Sequence, residues 1–230
     1  MADPMPQLHL LHNSEGVVAV SKPAGLPSTG QDLSDPLCVQ SMLQVQLGED
    51  VWAVHQLDKG TTGVNLFVTS KALVQEWQSR LKAGGKTYTA VCHGAPDWRK
   101  RTVDAPIGWA QSQRRRWVVQ GGKNAQTGVS VLDRATHYCV LRARPQTGRT
   151  HQVRIHLAYV GHPLIGESRY RRKSCRRLTR PALHLGEMRL PGLPKLLVPM
   201  PEDMLQVASE LRLQLPGGAP KLVEAYSGAQ

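Results

Sequence analysis

Apolar residues run along the chain in short bursts with two different periods. Gly16 to Ser21 is a β-branched run that stops at Lys22-Pro23-Ala24-Gly25. This reads as a strand entering a turn, because proline fixes φ and glycine admits positive φ. Val51 to Val54 reads as a strand end, and Val64 to Thr69 as a full strand. Lys86 to His93 alternates as another strand, Val129 to Arg144 holds two, and Ala182 to Leu190 one more. Helical spacing separates them. Leu37 to Leu47 places Leu37, Met42, Leu43 and Leu47 on one face. Ser70 is the N-cap expected for a helix through Leu81, with Leu73, Val74, Trp77 and Leu81 on one stripe and Gly84-Gly85 as its stop. Thr147 to Tyr159 starts as a turn and becomes a helix carrying Val153, Ile155, Leu157 and Val160. Pro201-Glu202-Asp203 opens a last helix to about Leu215, its acids near the positive end. Pro96 to Gly128 is basic and less regular, a hairpin insertion. The pattern predicts one α/β (α+β) domain over residues 14–215, with a loose arm at 1–13 and a frayed tail at 216–230.

Charge changes this picture. Lys and Arg number 29 against 17 acids, a net charge of +12, which points to a polyanionic partner with nucleic acid first. The cations cluster: Arg114-Arg115-Arg116-Trp117 is one run, and residues 169–180 hold seven cations and no acid. Arg171, Arg172 and Lys173 lie at the centre of that second run. A membrane partner is not expected, since no apolar run approaches the roughly 20 residues a spanning helix needs. No secretory leader is read in Met1 to Leu11. Cys38, Cys92, Cys139 and Cys175 form no Cys-x-x-Cys pair, so neither a zinc site nor a disulfide framework is expected. Reduced thiols and a cytoplasmic or organellar interior follow.

Several motif fragments fail on inspection. Gly85-Lys86-Thr87 ends like a phosphate loop, but Arg80 stands where its first glycine belongs. Gly166-Glu167-Ser168 begins like a nucleophile elbow and lacks the second glycine, leaving a serine hydrolase built on Ser168 as a remote reading. His151 and His156 are spaced unlike a zinc-protease pair.

Asp58 is different. It sits in His55-Gln56-Leu57-Asp58-Lys59-Gly60-Thr61-Thr62-Gly63, between two strands. That stretch resembles the His-Arg-Leu-Asp-x-x-Thr-Ser-Gly signature of the RluA-type pseudouridine synthases. Further matches follow in family order: Lys22-Pro23-Ala24-Gly25, Lys86-x-Tyr88, Thr147 to Leu157 (TGRTHQVRIHL), Gly161 to Gly166 and Leu183-His184. The resemblance spans roughly residues 14–213. It implies a mixed, mostly antiparallel sheet flanked by helices, with an RNA cleft across it. It also implies isomerisation of uridine in ribosomal or transfer RNA by a monomer without cofactor or metal. A stand-alone catalytic domain is expected, the amino end reading as too short for the small RNA-binding domain some relatives carry.

In that scheme Asp58 acts at the ribose, as nucleophile or base. Arg149 is its expected ion-pair partner, and Tyr88 stacks on the flipped base. Ile155 joins the pocket, although helix core is its simpler reading. Lys22, Gln56, Arg114, Arg115, Arg116, Arg171, Arg172 and Lys173 are the expected RNA contacts. Gln56 departs from the signature's Arg, and a neutral amide cannot neutralise phosphate or stack as a guanidinium does. A catalytically weak RNA-binding or RNA-folding factor on the same scaffold is therefore the alternative.

Overall fold

A computed structural model describes residues 7–30, 37–171 and 177–216. Its centre is a large sheet in the order β1-β2-β4-β11-β5-β10-β9-β6. The strands are β1 (His9–Ser14), β2 (Val17–Lys22), β4 (Thr62–Val68), β5 (Gly85–His93), β6 (Lys100–Asp104), β9 (Gln126–Ala135), β10 (Tyr138–Pro145) and β11 (Leu183–Arg189). Short β3 (Trp52–Ala53) pairs with β4, and β12 (Leu196–Leu197) with β11. Neighbours run antiparallel except β4 and β11, which meet in parallel over His184↔Thr62 and Leu185↔Gly63. That seam demands glycine at 63: φ is +120°, and a Cβ there would lie 2.1 Å from the Leu185 carbonyl oxygen.

The alternation read in the sequence sorts side chains to two faces. Val17, Ala19, Val64, Leu66, Ala90, Cys92, Leu141 and Ala143 join one continuous core. It is completed by Trp77 of α2 (Val74–Ala83) and by Val153 and Leu157 of α3 (Gln152–Tyr159). Their neighbours in register point the other way into two separate clusters. Val18, Val20 and Phe67 pack with α1 (Val39–Leu47), while Val91 and Val140 pack with Met204 and Val207 of α4 (Glu202–Glu210). So α2 and α3 share one face, and the groove between them opens over the β4–β11–β5 seam.

Four expectations need correction. Residues 9–14 are not a loose arm but an edge strand paired to β2, because Leu8 is buried and Leu10 packs beside α1. The Ser70 side chain makes no cap bond, and a short 3₁₀ turn at Lys71–Leu73 precedes α2. In 96–128 only β7 (Ile107–Ala110) and β8 (Arg115–Val118) form a separate hairpin, since β6 and the start of β9 belong to the main sheet. α4 stops at Glu210, where Arg212 turns left-handed with φ +55° and Leu213 folds back into the core. The tail from residue 217 lies outside the described residues, as do Arg172 and Lys173.

Candidate active site

A cleft of about 750 Å³ lies between α2 and the start of α3, and Asp58, Thr61, Lys86, Tyr88, His151 and Arg154 are on its wall. The loop carrying Asp58 is held from behind. The Ser28 hydroxyl accepts from the Leu57 N–H (2.8 Å) and donates to Asn65 Oδ1 (2.6 Å). The Asn65 amide donates to the His55 carbonyl (3.0 Å). His55 is enclosed, and burial with the nearby Lys86 charge pushes its imidazole down to about 3, so it stays neutral.

Asp58 faces α3. Arg154 Nη1 donates to its Oδ2 at 3.0 Å, and His151 Nε2 lies 3.6 Å from Oδ1. Arg154 is held in turn by Glu167, whose fully buried carboxylate accepts Nε at 2.8 Å and Nη2 at 2.9 Å. Two backbone N–H groups, of Arg169 (2.9 Å) and Tyr170 (3.4 Å), also donate to Glu167. Burial opposes charge on both partners. The two carboxylates nonetheless raise the Arg154 pKa above its ordinary value, and Arg154 with the two N–H groups holds Glu167 below the usual carboxylate range. The guanidinium is therefore a permanent, oriented cation against Asp58. Tyr170 covers it at 5.4 Å and bonds His151 Nδ1 at 2.7 Å.

Arg149 is not the partner of Asp58. Its side chain is exposed at the cleft rim, and its Nε donates to the Asn124 carbonyl (2.9 Å). The geometry of the turn explains why: Gln152 holds Thr147 and the Arg149 N–H, and the chain enters α3 only at His151, whose φ is +56°. One further turn of helix then aims residue 154 at the carboxylate. The missed signal was a charge inside an otherwise buried run, Gln152 to Leu157, with the buried Glu167 thirteen residues beyond.

Tyr88 lies on the cleft wall with its ring buried, and burial with the nearby Asp58 raises its hydroxyl above the ordinary range. Ile155 is not on the wall: it is fully buried against Ile107, Ala125 and Tyr170, since it faces away from the sheet groove. Lys22 is no surface cation either. It is 1% exposed, and its ammonium donates to the carbonyls of Pro23 (2.9 Å), Leu26 (2.6 Å) and Lys59 (3.3 Å). It ties the turn after β2 to the Asp58 loop. Gln56 is exposed and donates to the Thr29 hydroxyl at 2.9 Å.

The basic runs divide. Arg114 and Arg116 are exposed on the β7–β8 hairpin, where Arg116 pairs across from the exposed Trp109. Arg115 turns inward over Trp117 (5.0 Å) and donates to the Arg169 carbonyl. Arg171 binds His93 at the far end of β5, about 16 Å along the strand from Tyr88. Arg180 is buried on Asp203 and the Gly60 carbonyl, so it is not available to phosphate. His156, bonded to Thr127 and Ala105, is structural. Among the described residues no cluster of His, Cys, Asp or Glu could hold a metal ion, and no helix is long and apolar enough to cross a membrane.

A buried cation fixed on one loop carboxylate, beside an enclosed aromatic and below a basic rim, suits chemistry on a flipped base. The family profile described as RNA pseudouridylate synthase matches residues 16–159. The chain belongs to that family and to its RluA-type branch, and is thus an isomerase acting on RNA. It is 34% identical to the ribosomal large subunit pseudouridine synthase D of Nitrosomonas europaea, over 89% of this chain and 65% of that one. It is 31% identical to the dual-specificity RNA pseudouridine synthase RluA of Vibrio cholerae, over 72% of this chain and 69% of that one. A solved structure of human RNA pseudouridylate synthase domain containing 4 superposes with a TM-score of 0.73 at 25% identity, covering 90% of this chain and 94% of that one. The serine hydrolase reading falls with this membership.

Proposed function

We propose that this chain converts uridine to pseudouridine in ribosomal or transfer RNA, with Asp58 as the group that acts on the ribose. In the overall change the N1–C1′ bond breaks and a C5–C1′ bond forms, while C5 gives up its hydrogen as a proton and N1 takes one. Nothing is oxidised or reduced. The carrying observation is the Asp58 carboxylate held by a cation that is itself buried and fixed on Glu167. Arg154 keeps that carboxylate aimed, whether it attacks C1′ or removes a proton from the sugar. Tyr88 supplies the ring on which an extruded base rests. The exposed Arg114, Arg116 and Arg169 would grip the backbone of the same RNA. The names of the ribosomal and dual-specificity relatives support the choice of RNA. The same reading takes the chain to act as a monomer in the cytoplasm, where such RNA is found.

The test is a map of pseudouridines in cells with and without the gene, followed by Asp58→Asn on the RNA so identified. We expect at least one site to be lost. Asp58→Asn should abolish turnover while RNA affinity stays within a few-fold. A variant that turns over like the unaltered protein removes Asp58 from the mechanism, and unchanged pseudouridines with retained RNA binding favour the RNA-folding factor.

A further inference from the structure

The two threonines after Asp58 are in opposite states. The Thr62 hydroxyl donates to His184 Nδ1 at 2.8 Å, and His184 Nε2 in turn donates to the Val198 carbonyl at 3.2 Å. Thr61 has no such partner. Its residue is 2% exposed, and its Oγ1 is the one buried side-chain polar atom among the described residues without a hydrogen bond. Nothing nearby takes it up: Asp58 is engaged with Arg154, and Gly60 with Arg180. A buried hydroxyl without a partner destabilises a folded protein, and valine would fill the same volume without that cost. Thr61 nevertheless lines the cleft. It is also close to Asp58 by construction, because the Thr61 N–H closes a tight turn onto the Asp58 carbonyl at 2.9 Å.

We propose that the Thr61 hydroxyl is a catalytic hydrogen-bond donor to the carbonyl of the target uracil that flanks the glycosidic bond. The inference rests on the reading of this cleft as the uridine site and deepens it. Group chemistry selects the carbonyl. When the N1–C1′ bond breaks, negative charge on N1 spreads to O2, and a donor fixed there stabilises the departing ring more than the bound substrate. The ring must then turn so that C5 replaces N1 at the sugar. Rotation about the line through N3 and C6 exchanges O2 with O4. A single stationary donor therefore meets a carbonyl oxygen before and after the turn, holding the ring without having to move. A hydroxyl suits this better than an amide, since it is small and its hydrogen swings to follow the acceptor.

The experiment uses the full chain and a short stem–loop RNA containing the uridine mapped above, with release of the C5 hydrogen as readout. Turnover by the unaltered protein is established first; its absence would sink the uridine-site reading rather than this one. Thr61→Val should lower kcat about 100-fold, the scale for removing one such donor, with KM within about three-fold. Thr61→Ser should retain most of kcat. Thr61→Val should also melt no lower than the unaltered protein, which separates a lost donor from a damaged fold; if the valine variant does not fold, Thr61→Ala carries the same comparison against Thr61→Ser. Placing 2-thiouridine at the target weakens the acceptor, so it should slow the unaltered protein and leave the valine variant's rate nearly unchanged. An unaffected kcat in Thr61→Val overturns the proposal. Equal slowing of both proteins by 2-thiouridine overturns the assignment to the uracil carbonyl, and slowing by 2′-deoxyuridine in the unaltered protein alone would overturn it too, by assigning the hydroxyl to the ribose.

Discussion

Glu167 touches no substrate in this arrangement, yet its replacement by glutamine should be among the most damaging single changes in the protein. Its carboxylate has no solvent exposure and accepts four hydrogen bonds, two from Arg154 and one each from the Arg169 and Tyr170 N–H groups. Glutamine keeps the volume and one acceptor but turns an NH2 group toward the guanidinium. The Arg154 charge would then face Asp58 alone. Breaking a buried pair from one side costs about 3–5 kcal/mol, and the retained acceptor places Glu167→Gln near 3 kcal/mol. For a chain of this length that is a fall on the order of 10 °C in Tm. Urea unfolding at pH 7 measures it directly. Acid changes the comparison in a defined direction. Because Glu167 is held below the usual carboxylate range, its contribution is present above the ordinary value near pH 4.5 and is lost as pH falls through the folded value. The gap between the two proteins should therefore hold above about pH 4.5 and narrow as pH falls below it. A loss under about 1 kcal/mol at pH 7, or a gap indifferent to pH, refutes the reasoning. The double variant Arg154→Met with Glu167→Leu should regain much of the stability and have no turnover, since apolar replacement of a buried pair is often neutral while Asp58 loses its cation.

Arg154→Lys should cut turnover at least 100-fold, because an ammonium cannot hold Glu167 and Asp58 at once, whereas Arg149→Lys at the rim should stay within a few-fold in the same assay. Gln56→Arg adds a cation at an exposed loop position and should tighten RNA binding by about 1 kcal/mol, read as a Kd shift that salt weakens; an unchanged Kd places residue 56 away from RNA. Burial pushes the Lys22 ammonium down to about 8, so the folded state is relieved of that penalty as pH rises from about 8 towards 10.5. Stability of the unaltered protein should therefore gain on Lys22→Met across that window in denaturant titrations, and parallel curves would refute the assignment.

Period and punctuation carried most of the fold. β2, β4, β5, β9, β10 and β11 were legible because each alternates between two faces, α1 and α2 because each has an apolar stripe, and α3 because its apolar residues recur at helical spacing. What escaped was set by contacts distant in sequence. β1 reads as polar because an edge strand buries little, and its pairing with β2 is invisible in its own residues. The α4 end depends on Leu213 returning to a core built from β5 and β10. In the site, motif order located Asp58 and Tyr88 in one cleft, but not which arginine turns inward. Arg149 and Arg154 are both five or fewer residues from the helix start, and only the left-handed step at His151 decides between them. Lys22 shows the same limit: a basic residue in a basic protein reads as a phosphate contact until three carbonyls are found around it.

The parallel seam between β4 and β11 also governs when the site comes into being. Thr62 and His184 are bonded across 122 residues, and the loop that carries Asp58 is clamped from the same side by Arg180 through the Gly60 carbonyl, 120 residues away. Closing so long a loop is slow compared with forming the local hairpins β1–β2 or β9–β10, since its chain entropy is lost before its contacts form. The hairpins and helices can therefore assemble early while the carboxylate is still without its frame. On a ribosome the amino-terminal four-fifths of the chain would emerge with its hairpins formed and its active site still open. Competence arrives as a single late event, when β11 slides between β4 and β5 and joins two half-sheets into one.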